Sequence, residues 1–325
     1  MKKNIFAVIL ALILLLGLNA TAIAKPVVFV SIVPQKYFVE QIAGDLLDVE
    51  VLVSPGANPH MYEPTPAQMS KMTKAKAYFA IGINLENTWL PRINGTVPSL
   101  RMVYTQRGVE KIPMAAHEHH HDDDEGQTKH LDHDKQAMHA EGEHHDHEGL
   151  DEHSHDHDHG TLDPHIWLDP IRVKTIARNI CKGLGKADPA NSATYEANLE
   201  KFLMELDKLN TDITAILADV PSNQRSFLVF HPSWGYFAQR YGLTQLPIES
   251  QGREPSPKEL AEIIKEAKTK DIKVIFVQPQ ISQRTAKAIA SQIGGSVEQL
   301  DPLSINWKDN LINAAKAFKQ HLNSN

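Results

Sequence analysis

The chain of 325 residues contains a single cysteine, Cys181. One thiol excludes an intramolecular disulfide framework and any zinc finger built on several cysteines. Aromatic residues make up only 6% of the chain and no basic cluster is interleaved with them, so nothing favours nucleic-acid binding. The phosphate-binding pattern G-x-x-x-x-G-K-[ST] is absent. The sequence therefore lacks the signature of a P-loop ATPase.

Long apolar runs are missing as well, except near the amino terminus. Residues 5–16 are all apolar, but 12 residues fall short of the ~20 that span a bilayer comfortably. Two lysines precede the run, and an A-x-A cleavage pattern follows at 22–24. We expect residues 1–24 to be a signal peptide cleaved after Ala24, with a membrane anchor as the alternative. The mature chain is then exported to the periplasm without a lipid anchor, because Cys181 is far from its amino terminus.

Histidine is abundant, and 14 of the 18 histidines lie in residues 117–159. This segment also holds 15 Asp and Glu against two Lys, so its formal charge is −13 and that of the remaining chain is +6. It has almost no large apolar residues to bury, so we expect a disordered loop. Its composition favours loose metal binding at several points, with a solvated spacer as the alternative. The histidines expected to bind metal there are His119, His120, His121, His153, His155, His157 and His159.

Short β-rich runs alternate with helical patterns along the mature chain, which is typical of βαβ units and parallel sheets. The sequence predicts strands at 27–32, 48–53, 77–83, 101–104, 226–230, 243–248, 273–277 and 296–300. It predicts shorter helices at 35–43, 66–74, 170–183, 234–241, 257–269, 284–292 and 308–321. We therefore predict an α/β fold with a mainly parallel four-stranded sheet in each of two lobes, flanked by helices.

One longer helix is predicted at residues 190–218. Its apolar residues recur at intervals of three and four, as in an amphipathic helix: Leu199, Phe202, Leu203, Leu206, Leu209, Ile213 and Ile216. At 1.5 Å per residue it would be ~43 Å long, more than a small domain needs. We expect it to join an N-terminal lobe at 25–189 to a C-terminal lobe at 222–325.

Three histidines outside the acidic segment have a distinctive setting. His60, His165 and His231 each lie beside a proline in a predicted loop, and Asp301 precedes Pro302. Three of these four positions follow the carboxyl ends of predicted strands, where open α/β sheets bind ligands. Three imidazoles and a carboxylate suit four-coordinate zinc, whereas manganese prefers more oxygen donors. The spacing alone is equally compatible with separate loop histidines, and donor type alone does not exclude copper or nickel.

The segments that carry these residues resemble the metal-binding receptors of ABC transporters, in particular the zinc-uptake (ZnuA-type) receptors. They are residues 56–66 (GANPHMYEPTP), 163–170 (DPHIWLDP), 230–242 and 254–257. The resemblance covers essentially the whole mature chain. It implies two α/β lobes joined by a rigid helix, with a zinc ion bound between them and delivered to a membrane permease. The chain has no ATPase signature, so a separate cytoplasmic ATPase must drive transport.

The resemblance also implies the ligands. His60, His165 and His231 correspond to zinc ligands, and Asp301 corresponds to a position that is a ligand in some relatives and is replaced by water or another acid in others. Manganese-binding relatives tend to have a carboxylate where His231 stands. The histidine-rich loop is typical of the zinc group, and we expect it to collect zinc or sense its excess.

Carboxylates near the ligands could orient the imidazoles, because metal-bound histidine usually donates its other N–H to such a group. The candidates are Glu63, Asp163, Asp169 and Glu249, each of which could equally be a helix cap or a solvated acid. Two other functions stay open on the sequence: a manganese or iron receptor of the same fold, and a zinc-dependent hydrolase with Glu63 as general base. We expect a non-enzymatic, monomeric receptor.

Overall fold

The computed structural model describes residues 24–115, 162–249 and 252–322. The signal peptide expected at 1–24 lies outside these ranges except for Ala24. The histidine-rich segment 117–159 and the seven histidines assigned to auxiliary metal binding also lie outside the described residues.

The first lobe is built on a four-stranded sheet. Its strands are β1 (Val27–Val30), β2 (Asp48–Val51), β3 (Ala77–Ala80) and β4 (Arg101–Tyr104), all parallel in the order β2-β1-β3-β4. The helices of this lobe are α1 (Val33–Ala43), α2 (Pro66–Met72), α3 (Asn84–Thr96) and α4 (Pro170–Ala187). All four residues of β3 are buried, as expected for a parallel strand covered on both faces.

The long helix α5 (Ser192–Leu217) follows, and the second lobe repeats the plan. Its strands are β5 (Ser226–Val229), β6 (Thr244–Pro247), β7 (Val274–Val277) and β8 (Ser296–Gln299), parallel in the order β6-β5-β7-β8. Its helices are α6 (Gly235–Tyr241), α7 (Pro257–Thr269), α8 (Arg284–Ile293) and α9 (Trp307–Leu322). The predicted α/β fold of two parallel four-stranded sheets joined by one long helix is confirmed.

Short-range signals explain where several helices begin. Thr65 and Gln68 form a capping box at the start of α2, and Ser256 and Glu259 form another at the start of α7. Asp169 accepts a hydrogen bond from the backbone N–H of Ile171, and a proline at the first position completes the start of α4. These polar signals are visible in the sequence, which is why these starts were predictable.

Helix α3 was not predicted. Pro91 lies inside it, where the missing N–H removes a helical hydrogen bond, and Gly95 weakens its last turn. A buried acid compensates at the other end, because Glu86 accepts hydrogen bonds from the backbone N–H groups of Ile81 and Gly82. Burial raises the pKa of Glu86. The same carboxylate also accepts a hydrogen bond from the hydroxyl of Ser31, which follows β1. One tertiary contact that periodicity does not reveal therefore helps to fix the start of α3.

The two lobes share one hydrophobic core rather than meeting at a thin hinge. Helix α5 packs against α1 and α4 of the first lobe and against α9 of the second. Trp307 at the start of α9 is buried against Phe38 of α1, with ring centroids 4.9 Å apart. A second, smaller cluster fills the far side of the second sheet around Ile263, Ile275 and Ile289.

Two tryptophans tie the lobes together by hydrogen bonds. The indole N–H of Trp167, in the first lobe, donates to the carbonyl of Pro302 at 2.7 Å. The indole N–H of Trp307, in the second lobe, donates to the carbonyl of Trp167 at 2.8 Å. Both bonds are buried, where loss of a partner leaves a polar group unsatisfied, so they hold the facing loops in one arrangement.

Within the described ranges, no helix combines the length and the apolar character needed to cross a membrane. The one cysteine, Cys181, is buried in α4 and free of any disulfide, as expected for an apolar packing residue.

Candidate metal centre

The carboxyl ends of the two sheets face each other, and the loops that leave them surround a small cavity. Loops after β2, β3, β5, β7 and β8 contribute, together with the segment that precedes α4. The residues that line the cavity are Pro59, His60, Ile83, Asn84, Leu85, Pro164, His165, Trp167, His231, Gln278, Pro302 and Leu303. The cavity volume is about 20 Å³, which is room for one water-sized particle. A single ion fits this space.

Three imidazoles converge on this cavity. One ring nitrogen each of His60, His165 and His231 lies within 4.8 Å of the other two. The Nε2 atoms of His165 and His231 are 3.3 Å apart, and the ring of His60 is centred 5.0 Å from that of His231. The structure thus brings together three residues that are separated by up to 171 positions in the chain.

Two carboxylates fix the orientation of two of these rings. Nδ1 of His165 is 2.7 Å from Oδ1 of Asp163, and Nδ1 of His231 is hydrogen-bonded to Oε1 of Glu249. A carboxylate accepts the bond, so Nδ1 carries the proton in both rings, and in the neutral form of each ring Nε2 is left with a bare lone pair. Two lone pairs that face each other at 3.3 Å repel, and a cation between them removes the repulsion.

Burial lowers the pKa of His60 and of His165. His60 is the exposed member of the group, yet desolvation lowers its pKa to about 4, with further lowering by His231 and His165. Burial also lowers the pKa of His165, although Asp163 acts in the opposite direction. A lowered pKa means that protons compete for these nitrogens only in more acidic solution, so the imidazoles are available as ligands at neutral pH.

Hydrogen bonds hold the backbone at His60 and beside His165 in place. His60 lies in a short 3₁₀ turn (Pro59–Met61), where its N–H donates to Oδ1 of Asn58 at 2.9 Å. Next to His165, the carbonyl of Asp163 accepts a hydrogen bond from the Tyr236 hydroxyl of the second lobe at 2.7 Å. The loops that carry these two histidines are therefore positioned by contacts within and between the lobes.

Gly235 stands where only a glycine fits. A Cβ atom at this position would lie 2.7 Å from Oδ2 of Asp163, the carboxylate that orients His165. The second lobe approaches the first this closely because the side chain is absent.

Asp301 lies outside the group that the three histidines form, and its assignment as a fourth ligand stays a prediction. Its Oδ1 accepts hydrogen bonds from Nε2 of Gln280 at 2.9 Å and from the N–H of Leu303 at 3.0 Å. The carboxylate is engaged in holding its own loop, and the neighbouring Pro302 and Leu303 line the cavity instead.

The four candidate orienting acids divide into two pairs. Asp163 and Glu249 are hydrogen-bonded to the rings of His165 and His231. Asp169 is fully buried but binds Arg172 at 2.6 Å and Arg240 at 2.9 Å, so it links α4 to α6 of the other lobe. Glu63 is exposed and makes no hydrogen bond to His60 within the part of the chain that the structure describes. Sequence reasoning had no means of separating these pairs.

Several cavity residues were missed by sequence reasoning. Ile83, Asn84 and Leu85 come from the unpredicted start of α3, and Gln278 follows β7. Gln278 carried a usable signal, because a polar residue directly after a buried strand lies at the carboxyl edge of a parallel sheet.

A two-lobed α/β fold with three converging imidazoles between its lobes defines a metal-binding protein. Among known families, the one described as "Zinc-uptake complex component A periplasmic" matches residues 28–321, and the chain belongs to this family. It is a family of uptake-complex components and not of enzymes, which contradicts the hydrolase alternative.

The names of individual relatives agree with this family assignment. The chain is 31% identical over 274 residues to the zinc-binding protein AdcA of Streptococcus pyogenes serotype M3, covering 83% of this chain and 49% of AdcA. It is 29% identical over 301 residues to the high-affinity zinc uptake system protein ZnuA of Bacillus subtilis, covering 90% of this chain and 83% of that one. The chain thus spans about half the length of the streptococcal relative.

A solved structure supports the fold. A ZnuA variant described as a deletion mutant with zinc bound superimposes with a TM-score of 0.75 at 37% identity. The match covers 91% of this chain and 98% of that one.

The geometry predicts the tautomers of the metal-free protein. Nitrogen NMR near neutral pH should show Nδ1 protonated and Nε2 unprotonated in His165 and His231. In Glu249→Ala the Nδ1 preference of His231 should be lost, because the accepting carboxylate is gone, while His165 keeps its own. His321 is the internal control, since its Nε2 and not its Nδ1 faces an acid, Glu298, at 3.8 Å. Protonated Nε2 in His165 and His231 of the unaltered protein would contradict the arrangement.

Proposed function

We propose that this chain is a zinc receptor that binds Zn²⁺ through His60, His165 and His231 between its lobes. One observation carries the proposal, namely the 3.3 Å separation of two Nε2 atoms whose rings are both fixed by carboxylates. Two nitrogen ligands at 2.0–2.1 Å from a tetrahedral zinc ion are themselves about 3.3 Å apart. The spacing therefore suits the ion without rearrangement of these two rings.

The donor set favours zinc over manganese or iron. Three neutral imidazoles suit zinc, whereas manganese prefers carboxylate, carbonyl and water oxygens. Among the described residues, the group at the cavity contains histidines only. We propose that a water or another small oxygen donor completes the coordination shell and that Asp301 supports the loop beside it.

The family description and the names of the relatives support a role in uptake. In this role the protein takes up zinc in the periplasm and delivers it to a membrane permease, which a separate ATPase drives. We further propose that residues 1–24 are removed as a signal peptide and that the lobes comprise 25–189 and 222–325, joined by the helical segment 190–218. The mature protein then works as a soluble monomer without a lipid anchor.

The segment 117–159 has a second role in this proposal. Its 14 histidines and net charge of −13 attract divalent cations and offer many alternative ligands. We propose that it collects zinc, or senses its excess, and that it binds the metal more weakly than the central site because it lacks one preformed geometry.

Single substitutions test the central site. His60→Ala, His165→Ala and His231→Ala should each lower zinc affinity by more than about 100-fold, since even loss of an outer orienting group costs 10–100-fold. Asp301→Asn should change affinity less than about tenfold, because Asp301 lies outside the histidine group. Competition titrations with a zinc chelator measure these affinities, and His321→Ala is the matched control. Unchanged affinity in all three histidine variants would exclude the assignment.

The pH dependence separates the two kinds of histidine. Imidazoles with the ordinary pKa of about 6.5 take up protons below about pH 6, so the segment 117–159 should release its zinc there. The central site should retain zinc, because the pKa of His60 is lowered to about 4 and protonation competes only below that range. Calorimetric titration at neutral pH and at about pH 5.5 measures the two stoichiometries.

A variant that lacks residues 117–159 provides the control for this titration. It should bind one zinc ion at both pH values. If the deletion left the stoichiometry at neutral pH unchanged, the collector role would be wrong.

A further inference from the structure

A basic groove lies on the first lobe, away from the metal centre. It runs between β4 and α4, has a volume of about 250 Å³, and carries Arg101, Arg107, Lys182 and Lys186 around Tyr104 and Asn179. All four cations are exposed. Among the described residues, none of the four forms an ion pair with an acid, and Arg107 instead lies over the ring of Tyr104 at 4.8 Å. We call this surface the basic groove.

The charge of α4 is unusual. Its 18 residues include five cations and no acid. Lys174, Arg178, Lys182 and Lys186 recur every four residues, so they form one stripe along the helix. Lys174 is paired with Asp207 of α5 at 2.6 Å, while the other three continue the stripe to the carboxyl end of the helix.

The opposite edge of the same sheet, at β2, carries more acidic than basic residues. A pocket beside β2 carries Glu40, Asp45, Asp48 and Glu50 against Lys25 and Lys36. The positive charge is therefore concentrated at the β4 edge. Within the described ranges no further strand pairs with β4, so its outer backbone groups also remain available to an extended chain.

The chain itself contains a segment with matching charge. Residues 117–159 carry a net charge of −13 with no compensating basic cluster. The segment leaves the first lobe close to the isolated bridge between Pro113 and Leu162. The chain that leads to it runs along α4, because Asn179 donates to the carbonyls of Thr105 and Arg107, and Arg172 donates to the carbonyl of Glu110.

The distance along α4 from the start of the segment to the basic groove is short compared with the reach of the segment. From Arg172 to Lys182 the helix rises about 15 Å, whereas a flexible chain of 20 residues spans roughly 25 Å on average. A tethered ligand that can reach its site has an effective concentration in the millimolar range. Even weak pairing between several carboxylates and four cations then gives substantial occupancy.

We propose that the acidic segment 117–159 docks on the basic groove of its own lobe. Docking keeps the imidazoles of the segment on the lobe that carries His60 and His165. It depends on charge, so salt weakens it as the screening length falls. Each zinc ion bound by the segment cancels two of its negative charges, which makes release of the segment a consequence of zinc loading.

The test uses the full mature chain with a nitroxide label in the segment, attached to Ala140→Cys in a Cys181→Ala background. The label should broaden the backbone amide signals of residues 101–107 and 178–186 at low salt. The broadening should fall at least threefold in 0.5 M NaCl, where the screening length is about 4 Å. It should also fall at least threefold in Lys182→Glu/Lys186→Glu.

Two further variants serve as controls for protein stability and for the position of the charge change. Lys182→Gln/Lys186→Gln removes the charge without placing an acid at the end of α4, and it should weaken the broadening if the reversal variant is unstable. Lys258→Glu/Lys265→Glu reverses two exposed lysines on α7, a helix whose lysines are interspersed with acids, and should leave the broadening unchanged.

Three results would overturn the proposal. One is broadening spread evenly over both lobes, and another is broadening that the groove variants do not change. The third is loss of binding to phosphatidylglycerol vesicles in the groove variants without any change in broadening, which would assign the groove to a membrane surface.

Discussion

The candidate metal centre depends on the close approach of two imidazole nitrogens whose lone pairs face each other. Asp163 and Glu249 hold the Nδ1 protons of His165 and His231, which leaves their Nε2 atoms facing each other at 3.3 Å. This arrangement is unfavourable without a cation and matches the ligand spacing of tetrahedral zinc. Since burial in addition lowers the pKa of His60 and of His165, the proposed site offers imidazoles in a preformed arrangement. A receptor that must bind zinc tightly gains from such preorganisation.

The remainder of the fold keeps these two nitrogens close together, although they belong to different lobes. Trp307 inserts into the core of the first lobe and, with Trp167, exchanges hydrogen bonds across the boundary. Asp169 binds Arg172 of one lobe and Arg240 of the other while fully buried, where loss of one partner would leave an uncompensated charge. A shared core and these polar links favour one rigid arrangement of the loops. The small cavity at their meeting point follows from that rigidity.

Sequence reasoning located the strands and the three histidines because both have local signals. Buried parallel strands are short apolar runs, and each histidine stands beside a proline in a loop. Helix α3 was missed because Pro91 interrupts its helical pattern, while Glu86 fixes its start through local hydrogen bonds and one tertiary hydrogen bond from Ser31. The roles of Asp169 and Asp301 could not be predicted either. Each has the residue type of an orienting or ligating acid, and only the folded chain shows that it binds arginines or its own loop.

X-ray absorption spectroscopy at the zinc edge tests the central claim most directly. The mature protein loaded with one zinc ion should show three imidazole nitrogens at about 2.0–2.1 Å and one oxygen donor, without sulfur. The same spectrum should be obtained after removal of residues 117–159. Fewer than three imidazoles in that deleted form, or a shell dominated by oxygen, would contradict a three-histidine zinc site between the lobes.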